Sequence, residues 1–125
     1  MRLSTTLSLM ALLTAPVAAQ SNKPFDPAKL LVGNTLTGIY EEGKIEMRAK
    51  ADGTVLFTPP DGKTFTGHWV ANREYLCIIN PPEKPNDGLP TRCEKVDLAK
   101  RQIGVSWTMI DSYGLKTTVT IRRGQ

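Results

Sequence analysis

A chain of 125 residues with a formal charge of +4 is long enough for one small domain, and its mild basic excess disfavours cationic partners without marking a nucleic-acid binder. Two cysteines and one histidine supply three zinc ligands at spacings that match no structural zinc pattern. No phosphate-binding glycine loop, P-loop or calcium loop occurs, so no cofactor and no metal is expected.

The chain opens with MRLSTTLSLMALLTAPVAAQ. Arg2 gives a positive start, Leu7 to Leu13 an apolar stretch, and Val17-Ala18-Ala19 the small residues a signal peptidase reads. The apolar stretch is far shorter than the about 20 residues that span a bilayer. Residues 1–19 are therefore expected to be a cleaved signal peptide, with residues 20–125 as a single domain and no transmembrane segment after cleavage. That places the protein in the periplasm or outside the cell.

DPAKLLVG reads as one short helix. Asp26 suits the cap, Pro27 the first helical position and Gly33 the exit. Leu30, Leu31 and Val32 would close one end of a core.

From there on, short strands alternate with turn residues about every ten positions, the pattern of an all-β domain. The spacing predicts eight strands: 35–40, 44–49, 54–58, 63–70, 75–80, 91–98, 103–110 and 115–122. Alternation assigns faces. Ile45, Met47 and Ala49 share one side, as do Val55 and Phe57, Phe65 and Trp69, and the set Ile103, Val105, Trp107, Met109.

Turn chemistry predicts register, because a slip of one residue would turn every apolar side chain to solvent. A three-residue loop Ser112-Tyr113-Gly114, with glycine in the left-handed position, sets Trp107 against Val119 and Val105 against Ile121. Ala51-Asp52-Gly53 repeats the device and sets Ala49 against Val55 and Met47 against Phe57. Gly38, Gly67 and Gly104 fall inside strands, where glycine marks bends and bulges. The expected fold is an eight-stranded antiparallel meander closing into a small barrel, with two packed sheets as the alternative. The inward residues Met47, Phe57, Phe65, Trp69, Trp107 and Met109 lead one to expect a mostly filled interior and an external binding surface.

Cys77 and Cys93 lie on consecutive strands of an exported chain, which points to one disulfide acting as a staple. A redox role would want a tight Cys-x-x-Cys pair. Between them runs PPEKPNDGLP, a stiff irregular loop in which Pro81, Pro82, Pro85, Asn86 and Leu89 form a candidate interaction surface. Strand 75–80 is apolar on both faces, so one face needs a cover: the 27–32 helix, the proline loop or a second subunit.

His68 alternates outward among threonines. As a catalytic base it would need Ser106 or Ser112 and a carboxylate, and no motif supports that triad. Of the acidic residues, Glu46 and Glu94 lie within predicted strands, where alternation turns Glu46 outward, and no carboxylate pair stands out. The register predicts that Gly104 opposes Arg122 and Ile103 opposes Arg123. Lys100, Arg101, Arg122 and Arg123 would then form a basic rim able to meet an anionic envelope component. No aromatic residues interleave with these charges, which argues against nucleic acid.

Taken together, the export signal, the short strands, DGTVLF, TGHW and the cysteine pair resemble small periplasmic β-barrel proteins of Gram-negative bacteria. Gly67-His68-Trp69 is similar to the Gly-x-Trp of lipocalins, although that family carries it near the first strand and here it falls in the fourth. The plan also resembles periplasmic lysozyme inhibitors, which are small disulfide-tied barrels. Their target is a cationic enzyme, so the positive balance here counts against that role. Because the residue constellation of an enzyme site is missing, the chain is expected to be a non-catalytic periplasmic binding or envelope-interaction protein, whose partner is an unknown protein or an anionic envelope component. The alternatives are an inhibitor or partner of another exported protein and a small hydrolase.

Overall fold

The computed structural model describes residues 24–79 and 91–125. The expected signal segment 1–19 and the proline-rich connection 81–90 lie outside the described residues.

Helix α1 (Pro27–Leu31) forms where its capping residues place it. The Asp26 carboxylate accepts the Ala28 N–H at 3.0 Å, Pro27 opens the first turn, and Gly33 leaves at φ 81°. Leu31 is 2% exposed. Val32 bridges to Ala49 and the Asn34 amide donates to the Leu30 carbonyl at 2.8 Å, so the helix seals one end of the core as expected.

Eight strands follow: β1 (Asn34–Tyr40), β2 (Gly43–Ala49), β3 (Thr54–Thr58), β4 (Phe65–Ala71), β5 (Tyr75–Ile79), β6 (Thr91–Lys95), β7 (Trp107–Ile110) and β8 (Lys116–Arg123). They make one antiparallel sheet in the order β6-β5-β4-β3-β2-β1-β8-β7. The first and last strands pair along their length, from Asn34 with Arg123 to Ile39 with Thr118. The meander is thereby joined at its two ends and left open between β6 and β7. It curls into a half-barrel with a slit along one side.

Both glycine hairpins have the expected register. Ala49 faces Val55 and Met47 faces Phe57 across β2 and β3, and Trp107 faces Val119 across β7 and β8. Gly53 and Gly114 take φ 91° and 84°, where a side chain would be strained. Gly67 is required for a different reason. A Cβ there would lie 2.7 Å from the Ile79 carbonyl oxygen, so only glycine lets β4 and β5 approach as they do.

The expected strand ends differ around β6 and β7. The Val96 and Asp97 N–H groups both donate to the Glu74 carbonyl at 2.8 Å, which draws the chain off the sheet edge at Lys95 rather than at 98. Asp97 then takes φ 51°, and a 3-10 turn (Leu98–Lys100) drives Leu98 to full burial. The next strand starts at Trp107 rather than 103. Gly104, at φ 86°, donates its N–H to the Ile121 carbonyl at 2.7 Å, and the chain turns so that Val105 is exposed instead of facing Ile121 inside.

The densest packing lies at the helix end. Val55, Leu98 and Ile121 are fully buried there with Leu31, Ala49 and Val119 around them. Trp69 closes the floor, its Nε1 donating to the Lys50 carbonyl at 3.0 Å. The Phe57 and Phe65 rings pack at 5.4 Å.

Cys77 and Cys93 are direct partners across β5 and β6, with Cα atoms 4.0 Å apart and a disulfide between them. The bridge sits on the outer face, beside the exposed apolar residues Val70, Tyr75 and Ile79. Helix α1 does not cover this face, since it lies at the closed end. In the chain-entropy picture, closing a loop of this size contributes about 3 kcal/mol. Urea unfolding of the Cys77→Ala/Cys93→Ala double variant should show a loss of that order, with the far-UV strand signal of the folded protein retained.

Candidate functional site

The interior is not filled. A cavity of about 380 Å³ opens at the end opposite α1, inside the curl of the sheet. Its walls are apolar: Leu36, Met47, Phe57, Leu76, Ile78, Met109, Leu115 and Val119 among them. The expectation of a packed lumen fails because the bulky inward residues are unevenly distributed along the axis. Trp69 is spent on the floor, and Trp107 lies under the Arg101 guanidinium at 4.5 Å. Nearer the mouth Ile45 and Thr117 fold back over Gly38 against the wall, which leaves the centre open.

The outward disulfide determines what else faces in. Cys93 points to solvent, so its neighbours Arg92 and Glu94 point to the opposite side, opposite the inward Ile78 and Leu76. An ion-paired arginine and glutamate thus line an otherwise apolar wall. Arg92 Nε donates to Glu94 Oε2 at 2.9 Å, its Nη2 lies 3.6 Å from Asp111 Oδ2, and its guanidinium stacks 4.0 Å over the Tyr113 ring. Glu94 reaches across the slit and accepts the Ser112 N–H and hydroxyl, both at 2.7 Å. The two sheet edges are joined here by side chains instead of a backbone ladder.

Asp111 also holds its own turn, since its Oδ1 accepts the Tyr113 and Leu115 N–H groups at 2.9 and 2.8 Å. Tyr40 and Glu42, at the β1–β2 turn, complete this polar side of the mouth, while Pro59 and Pro60 line it elsewhere. Burial raises the Tyr40 phenol above its ordinary pKa. Glu42 and Asp111 push it further up against an opposing pull from Arg92. The phenol therefore stays neutral across the physiological range.

The residues singled out in the sequence are distributed as follows. Cys77 and Cys93 form the bridge. The four basic residues of the expected rim have different local partners. Arg101 is engaged at the lower seam, where its Nε donates to the Val96 carbonyl at 2.8 Å and its guanidinium covers Trp107. Lys100 is exposed on the 3-10 turn. Arg122 and Arg123 pair with Thr35 and Asn34 on the β1 side of β8, and on the other side Gly104 donates to the neighbouring Ile121 carbonyl at 2.7 Å. Arg122 lies on the outer face close enough to Glu46 to help depress its pKa, after Lys44 and Arg48. The loop residues Pro81, Pro82, Pro85, Asn86 and Leu89 are outside the described residues.

His68 is exposed on the outer face, between Thr54 and Ile79, away from the cavity. The two serines considered as its partners lie elsewhere: Ser106 bonds Thr120 at 2.6 Å and Ser112 bonds Glu94. Among the described residues, no group of three or more His, Cys, Asp or Glu side chains is placed to hold a metal ion. No helix among them is long and apolar enough to cross a membrane.

Reading along the strands noted Glu94 as a strand carboxylate without giving it a role, and did not single out Arg92, Asp111, Tyr40 and Glu42. A signal was present for two of them. Once the disulfide is placed outside, alternation forces Arg92 and Glu94 inside, and a charged pair facing inward is unusual unless it serves the site.

These features define a slit eight-stranded half-barrel with an apolar lumen and a charged mouth. No protein family, curated protein or solved structure matches the chain.

The raised Tyr40 pKa has a signed consequence. A group held protonated by the fold contributes stability that is complete below its unfolded pKa and is lost as pH rises through the folded value. In an alkaline absorbance titration, the phenolate step missing from Tyr40→Phe should lie above the ordinary tyrosine range. The stability loss over that interval should be smaller in the variant than in the wild type.

Proposed function

We propose that this chain is an exported, non-catalytic binding protein that holds a small, largely apolar molecule in its lumen. The observation that carries the reading is the cavity of about 380 Å³, apolar over most of its wall with its charged groups gathered on the side of Arg92, Glu94 and Asp111. Small-molecule sites fall at about 300–1,000 Å³ and share this construction, a hydrophobic lining with a few polar groups that orient the ligand. Filling such a space replaces missing dispersion contacts and removes apolar surface from water.

Export is supported by the charge, apolar run and small residues of segment 1–19, and by a disulfide of the kind that persists in oxidising compartments. The periplasm or the extracellular space follows as the place of action. The overall positive charge is compatible with residence near an anionic envelope surface.

The neutral dye N-phenyl-1-naphthylamine tests the reading. Its fluorescence should rise on binding with a stoichiometry near one. Leu115→Trp, which adds a ring to the cavity wall, should weaken binding by about ten-fold or more while the protein keeps its cooperative unfolding transition. A dye response that is absent, or that is unchanged in this variant, would remove the lumen as the binding site.

A further inference from the structure

The described residues at the mouth of the lumen carry a charge opposite to that of the molecule. The chain as a whole is formally +4, yet among the described residues the cavity is lined by Glu42, Glu94 and Asp111 with Arg92 as the one cation. Arg92 is already committed on three sides. Its Nε serves Glu94, its Nη2 faces Asp111, and its flat face lies on Tyr113. An incoming carboxylate would therefore meet a neutralised guanidinium and an excess of negative charge.

An incoming cation meets the reverse. The Glu42 carboxylate is exposed at the rim and makes no hydrogen bond among the described residues. Among the described residues, Asp111 Oδ2 has only the long contact to Arg92. Glu94 is more fully engaged, with Oε1 and Oε2 accepting from Ser112 and Arg92. Tyr40 lines the same space, and its neutral phenol offers both an acceptor oxygen and a π face to an ammonium group. The sense in which its neighbours shift the phenol, upward by Glu42 and Asp111 against Arg92, is that of a net negative field at this spot.

We propose that the lumen selects single-chain amphiphiles with a cationic head, alkylammonium compounds, over those with a carboxylate head. The tail would lie against Leu36, Met47, Leu76, Met109 and Val119, and the head would rest between Glu42, Asp111 and Tyr40. This inference rests on the lumen being the binding site. It runs against the global charge, which by itself would favour anionic ligands, and so the two effects are separable.

The test is competition against bound N-phenyl-1-naphthylamine by dodecylammonium and by dodecanoate, each kept below the concentration at which it forms micelles, with calorimetry of the same two titrations. Dodecylammonium should displace the dye at about one-tenth the concentration that dodecanoate requires. Added salt should narrow the ratio, because exposed charge interactions are screened. Glu42→Gln, a change in an exposed turn, should also move the ratio toward one. Equal displacement, or displacement by dodecanoate at the lower concentration, would overturn the head-group inference while leaving the lumen as a site. A protein that takes up neither dye nor amphiphile in either measurement would overturn both.

Discussion

The pairing of β1 with β8 is the constraint on which the rest of the structure depends. Strands that follow one another in the chain pair through local turns, but β1 and β8 are separated by most of the sequence. Their ladder forces the sheet to curl, because the two ends of the meander must lie side by side. It also displaces the free edges to β6 and β7, which then face each other across the slit. Exposed edges invite pairing with other chains. Here the opening is bridged by Glu94 to Ser112, Arg92 to Asp111 and Arg101 over Trp107. Side-chain closure is more adjustable than a backbone ladder, and it brings charged groups to the lumen where a fully closed barrel would have peptide bonds.

The disulfide acts on function through alternation. By holding Cys93 outside, it holds Arg92 and Glu94 inside, and it ties the edge strand that carries them to β5. A charged pair on an apolar wall is costly unless each group finds partners. Glu94 has three and Arg92 has three, counting the tyrosine ring, so the pair is a stable fixture of the mouth. The two ends of the molecule thus do different work. The helix end is dense and closed by Leu31, Leu98 and Trp69, and the opposite end is left open.

Much of the fold was legible because hairpin register is a local property. Gly53 and Gly114 specify three-residue loops, and those loops place Met47 against Phe57 and Trp107 against Val119. Helix α1 was legible for the same reason, through Asp26, Pro27 and Gly33. What alternation cannot supply is position along the barrel axis. It shows that Trp69 and Trp107 point inward but not that they crowd toward the floor and the seam, and so the lumen looked full. Nor can it show the Glu74 carbonyl pulling Val96 and Asp97 off the edge, a contact between residues far apart in the chain. The last hairpin differs on the same point, since residues 103–106 leave the ladder and Val105 turns to solvent while Gly104 alone returns to the Ile121 carbonyl.

Whether the lumen is an open apolar space is the claim on which the functional account turns, and xenon reports on it without knowledge of the ligand, because it enters apolar cavities. Methyl NMR spectra recorded under xenon pressure should shift the signals of Leu36, Met47, Ile78, Met109, Leu115 and Val119 together, with one shared saturation curve. Shifts confined to exposed methyls such as those of Val70 and Ile110, or no saturable shift at all, would show a filled interior and contradict the account.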